Sequence, residues 1–117
     1  MVYCSEHVSL AALEILVHTQ SVTIPDKFRV FRVSWDGKMM ITIDLKKLPR
    51  GWNAQPPSSI SKNLGDNWVR AAHSVVLAVP SVIVPAERTF LLNPEHHDFG
   101  KIKIKDTGSF YLDPRLR

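Results

Sequence analysis

The sequence predicts an α+β domain: a mixed, mostly antiparallel sheet with two main helices. Short runs rich in β-branched and aromatic residues recur at Lys27–Trp35, Ser74–Val84, Phe90–Leu92 and Lys101–Lys105. Two other stretches show helical spacing, one around Leu10 to Thr19 and one marked by Ile60, Leu64 and Trp68. At 117 residues the chain can build one core and is too short for two, so residues 1–117 are read as a single domain.

Met1 to Cys4 reads as the end of a strand, entered with no lead-in. Ser5 or Ser9 can cap a helix that runs to Thr19. Gln20 to Asp26 is a connector punctuated by Pro25. Asp36-Gly37 after the strand Lys27–Trp35 is a hairpin signal, so Met39 to Ile43 is expected to pair back antiparallel. Leu48 to Ser59 holds Pro49, Gly51, Pro56 and Pro57 and reads as a loop rather than a domain boundary. Ser58 or Ser59 can cap the second helix. Its buried stripe is Ile60, Leu64 and Trp68, and Gly65 weakens it.

Pro80 cannot donate to a ladder, so the Ser74–Val84 strand must break, bulge or lie at an edge there. Asn93-Pro94 ends the run Phe90–Leu92. Strict alternation in Lys101–Lys105 sends Ile102 and Ile104 to the core and the lysines to the other face. Gly108 reads as a turn, with Ser109 to Leu112 pairing back.

Composition narrows the class. The hydrophobic share of 44% fits a globular protein. No apolar run approaches the roughly 20 residues of a membrane span, and no secretory leader pattern opens the sequence. Cys4 is the sole cysteine, which excludes an internal disulfide. Together these features point to the cytoplasm. The net charge of +4 favours an anionic partner (a nucleotide, a nucleic acid or an acidic protein) or simply serves solubility.

Among chemically capable residues Glu14 stands out. It lies in Leu10-Ala11-Ala12-Leu13-Glu14-Ile15-Leu16-Val17, apolar at every nearby spacing. A helix apolar all round is a buried helix, and a carboxylate there must be paired, protonated or used. Its partner could be Arg29, Arg32 or Arg70; otherwise it handles a proton or stabilises a developing cation. Ser81 follows Pro80 where the sheet must deform. It either satisfies a local backbone group or faces a cleft, and no Gly-x-Ser-x-Gly elbow surrounds it. Tyr3 on the first strand either fills the core or stacks on a ring.

The pair His96-His97 has poor ligand spacing, so no metal is expected. Lys101, Lys103 and Lys105 protect an edge or contact phosphates. Aromatic residues do not interleave with the basic ones, which argues against direct nucleic-acid binding. Homo-oligomerisation is left open.

Several segments then occur together in order: Val2-Tyr3-Cys4-Ser5 followed by Leu10 to His18, Leu48-Pro49-Arg50-Gly51-Trp52, Gly65-Asp66-Asn67-Trp68, and Val79-Pro80-Ser81-Val82-Ile83-Val84-Pro85-Ala86-Glu87 running into Leu91 to His96. The tail Phe110 to Leu116 continues them. In this order they resemble the RES-domain family, the toxin half of bacterial toxin–antitoxin pairs. The resemblance implies a fold similar to ADP-ribosyltransferases. It implies NAD as substrate, bound in a sheet-lined cleft, and cleavage of the nicotinamide–ribose bond by hydrolysis or phosphorolysis, or transfer of ADP-ribose to a protein. An Xre-type antitoxin would be the partner.

On that resemblance the family's glutamate and serine correspond to Glu14 and Ser81, and its active-site tyrosine to Tyr3. Glu14 would stabilise the oxocarbenium ion formed at the ribose. Ser81 would bond the nicotinamide ribose or amide, and Tyr3 would stack near the nicotinamide. Two positions depart from the family pattern. The family's arginine is expected upstream of Val2, in a segment this sequence does not contain, and Thr89 stands where asparagine is usual. The alternative expectation is therefore a shortened, catalytically weak or inactive module that only binds its antitoxin.

Overall fold

The computed structural model describes residues 1–19, 25–54 and 59–116. Strand β1 (Val2–Ser5) leads into helix α1 (Val8–His18); β2 (Lys27–Ser34) and β3 (Met40–Thr42) follow, then helix α2 (Ser59–Ala71), β4 (Val76–Pro80), β5 (Arg88–Leu92) and β6 (Lys103–Tyr111). The result is α+β, as the sequence predicts. Four strands form a mixed sheet in the order β1-β5-β4-β3, and β2 with β6 makes a separate two-stranded ribbon.

The core forms on both faces of β4 and β5. Val76, Ala78, Phe90 and Leu92 point to one face, where Val33 and Trp35 from the ribbon side, Met39 and Phe99 pack on them. Leu77 and Leu91 point to the other, against Trp68 and Val69 of α2. This split follows from side chains alternating across a strand. The Trp35 ring meets Phe90 edge-on at 5.0 Å between centroids. Trp68 Nε1 donates to Ser74 Oγ at 2.9 Å, and that hydroxyl donates to the Val76 carbonyl at 2.8 Å. Burying the indole therefore leaves no orphaned donor.

Several expectations need correction. Asp36-Gly37 makes no hairpin. Asp36 Oδ1 accepts the Lys38 amide at 3.0 Å and caps a short 3-10 turn, Gly37–Met39. The favoured hairpin turn needs positive φ at its central residues, and Gly37 is not among the residues with positive φ. Released from β2, β3 pairs parallel with β4, with α2 lying between them in sequence. β2 pairs instead with distant β6.

Gly108 does not reverse the chain either. β6 runs through it, with φ of +108° at the glycine. The register slips there, Val30 facing Gly108 while Phe31 faces Asp106. This is a bulge, which bends a strand without ending it. Ile102 is buried as expected, but Ile104, opposite Val33 on the ribbon, is 62% exposed.

Pro80 ends β4 as its last paired residue, opposite Arg88. In α2 the stripe is graded: Trp68 is buried and Leu64 half-buried, while Ile60 is exposed. The proposed cap Ser58 and the connector 20–24 lie outside the described residues.

Candidate active site

Three chain segments meet at one end of the sheet. The antiparallel register places the end of β1 (Ser5 opposite Thr89), the start of β5 and the end of β4 (Pro80 opposite Arg88) side by side. Ser81 follows immediately, in the loop that returns to β5.

That loop is closed by its own polar groups. The Ser81 amide donates to the Glu87 carbonyl at 2.8 Å, and the Glu87 amide to the Val84 carbonyl at 2.8 Å. Ser81 Oγ accepts the amides of Ile83 and Val84, both at 3.1 Å. The residue is 1% exposed. A serine whose hydroxyl collects two successive amides replaces the backbone bonds that a proline-ended strand leaves unmade. Among the described residues the hydroxyl donates no hydrogen bond. Glu87 in the same loop was not singled out by sequence reasoning; its Oε1 is shielded from solvent with no hydrogen-bond partner among the described residues. An isolated glutamate after Pro85-Ala86 carries no sequence signal for that placement.

Glu14 departs from expectation. Helix α1 is not a buried helix: only Leu10 is fully enclosed, and Val8, Leu13 and Val17 are exposed. It packs chiefly on β1, itself at the sheet edge, so its outer face has no covering layer among the described residues. Glu14 is 28% exposed, and its Oε2 lies 3.0 Å from His18 Nε2. None of the three candidate arginines pairs with it. Arg29 binds Asp106 at 2.7 Å, Arg70 binds Asn67 at 2.7 Å, and Arg32 lies on the ribbon opposite Lys105. The 3.6-residue repeat makes the His18 pairing legible in sequence, since the two are four apart.

Tyr3 is 67% exposed, opposite Leu91 and therefore on the α2 face of the sheet. It fills no core position and offers an open ring. Among the described residues no hydrogen bond joins Glu14, Ser81 and Tyr3. They sit on three neighbouring elements, on or leading from one edge and one end of the sheet.

Two grooves lie elsewhere. One, of about 530 Å³, is lined by Met1, Arg70, Asn93 and Glu95 among others, at the opposite end of the sheet from Ser81. The other, of about 500 Å³, lies between Trp35, Lys38 and Lys103. Neither is lined by the three candidate residues.

His96, His97 and Asp98 place one ligand-type atom each within 4.8 Å. Both nitrogens of His96 are already engaged: the Asp98 amide donates to Nδ1 at 3.0 Å, which leaves Nε2–H to donate to the Ala72 carbonyl at 3.0 Å. Asp98 binds Lys101 Nζ at 3.0 Å, and this bond holds its carboxyl below the usual carboxylate range. The cluster pins the end of α2, where Ala72 adopts φ of +53°. Holding an ion would mean breaking those bonds. Burial pushes the Cys4 thiol up, which keeps it in the unreactive protonated form.

Comparison with known proteins matches the sequence to a family. The RES domain model covers residues 1–113. A protein named Toxin Res from Photorhabdus laumondii is 37% identical over 116 residues, 98% of this chain and 74% of its own. A Toxin Res from Yersinia enterocolitica is 32% identical over 117 residues, 99% of this chain and 77% of its own. A protein named Prs ADP-ribosylating toxin from Sphingobium is 32% identical over 119 residues, 99% of this chain and 74% of its own. With a family model matched over nearly its whole length and relatives of this similarity, the chain belongs to the RES domain family.

Proposed function

We propose that this chain is a toxin that breaks the nicotinamide–ribose bond of NAD. The observation that carries the reading is the Glu14 carboxylate, held by His18 at 3.0 Å and still partly exposed. Its support is membership of a family in which a relative is named an ADP-ribosylating toxin.

Nicotinamide leaves with the bonding electron pair, and positive charge develops on the ribose at C1′ and the ring oxygen. A fixed carboxylate stabilises that cation more than the ground state, which is what lowers the barrier. The attacking group is water, phosphate or a protein side chain; for water, its proton passes to the Glu14 carboxylate as the new C1′–O bond forms. Tyr3 offers an exposed ring on which the departing nicotinamide stacks. Ser81 holds the loop at the sheet end and turns its spare hydroxyl hydrogen toward the ribose or amide. A basic protein with net charge +4 suits both the pyrophosphate and an acidic segment of an Xre-type antitoxin.

Nicotinamide release from NAD, followed by chromatography, tests the reading. Glu14→Gln keeps size and hydrogen bonding but loses the charge, and is expected to cut turnover by about 10²–10³, the range for losing one transition-state contact of this kind. Equal turnover in both proteins refutes the role given to Glu14.

One observation favours a second reading, an antitoxin-binding module without turnover: Ser81 is enclosed, its oxygen already bonded to two amides. That reading expects no heat of NAD binding in calorimetry alongside tight capture of the antitoxin.

A further inference from the structure

Glu6 and Arg88, 82 positions apart in sequence, exchange three hydrogen bonds. The Glu6 amide donates to the Arg88 carbonyl at 3.1 Å. The Arg88 amide donates to Glu6 Oε1 at 3.0 Å, and Arg88 Nε to Glu6 Oε2 at 3.3 Å. The arginine also lies over the Phe90 ring, 5.2 Å from its centroid, which fixes the guanidinium from the core side. Both side chains are only partly exposed, 22% for Glu6 and 43% for Arg88.

The placement gives the clamp more to do than hold an edge strand. Glu6 is the last residue tied to the sheet before α1 begins at Val8. The helix has no side-chain cap at His7, no acidic residue in its first turn, and packs chiefly on β1. Leu10 is its one fully buried residue. On the other side, Arg88 faces Pro80 across the ladder, directly before Ser81. One pair of residues thus joins the root of the Glu14 helix to the root of the Ser81 loop.

We infer that Glu6 and Arg88 are positioning residues that aim Glu14 for the reaction proposed above, on which this inference rests. The lever is long. Glu14 sits about 9 Å along the axis from Val8 at 1.5 Å per residue. A tilt of roughly 10° at the helix root would displace it by more than 1 Å, and a misplacement of about 1 Å can cost 10²-fold in rate. A carboxylate that binds a backbone amide and a guanidinium together resists such a tilt better than either bond alone.

The test uses Glu6→Ala, Glu6→Gln and Glu14→Gln in the full chain. Glu6→Ala is expected to lower kcat for nicotinamide release 10- to 100-fold with KM changed less than twofold. Glu6→Gln, whose amide oxygen still accepts one Arg88 N–H, recovers part of that loss. Hydrogen exchange of the same proteins should quicken at the amides of α1 in Glu6→Ala and stay unchanged at Val76–Ala78. Wild-type kcat in Glu6→Ala overturns the inference, and so does faster exchange throughout the molecule, which marks a merely structural pair. If the wild-type chain releases no nicotinamide, the functional reading falls and the inference with it. If Glu14→Gln is inactive while Glu6→Ala is not, only the inference falls.

Discussion

The loop after β4 and the helix after β1 leave the same end of the sheet, yet they are held in opposite ways. In the loop, Ser81 is enclosed and bonded to two amides, and the strands at its base are core. In α1 one residue, Leu10, is enclosed, the first turn has no side-chain cap, and three apolar side chains face outward. A site built from both joins a rigid wall to an adjustable arm. In the proposed reaction the wall would supply preorganisation, and the arm would carry the Glu14 charge.

The largest way to break this contrast is Leu10→Ala. Removing the one fully buried side chain of α1 should cost about 2–5 kcal/mol if the helix is part of the cooperative fold, read as a lower urea midpoint. A cost near zero would mean that α1 opens independently of the sheet. Ser81→Ala comes next. It strands two amides, and about 1–3 kcal/mol of lost stability is expected, with turnover falling in parallel. Intact stability with lost turnover would remove the loop-holding role of Ser81 and leave only its proposed contact with the substrate.

The smallest effect is expected from acid on the ribbon. The Arg29 guanidinium, and after it the Gly108 amide, hold the Asp106 carboxyl below the usual carboxylate range. A folded-state value below the unfolded one means that the pair's contribution is present above the unfolded pKa, about 3.9, and is lost as pH falls through the lower folded value. Protection at Phe31 and Asp106, corrected for the intrinsic exchange rate, should therefore fall below about pH 4, ahead of protection in β4 and β5. Simultaneous loss in ribbon and sheet would show one cooperative unit.

Much of this was legible in the sequence where a residue acts through its own backbone. Pro80 marked the end of β4, and Asn93-Pro94 the end of β5. Asp36-Gly37 misled because the aspartate had a competing use, capping a 3-10 turn, and no local signal says which use wins. Gly108 misled because a bulge and a turn both need positive φ. Glu14 was found by its apolar surroundings, but its burial was misjudged, since a helix against an edge strand keeps an open side whatever its sequence. The Glu6–Arg88 clamp was invisible: two common surface residues become partners only through strand pairing 82 positions apart.

That pairing pattern has a kinetic consequence. β3, α2, β4 and β5 are neighbours both in the chain and in space, whereas β1 must find β5 across most of the sequence and β2 must find β6, with Arg29 and Asp106 77 positions apart. Long loops close late because their entropy is lost before any contact is gained. The segment bearing Tyr3 and Glu14 should thus be the last to dock during refolding, so the Glu14 carboxylate would come into place only after the sheet that receives it has formed.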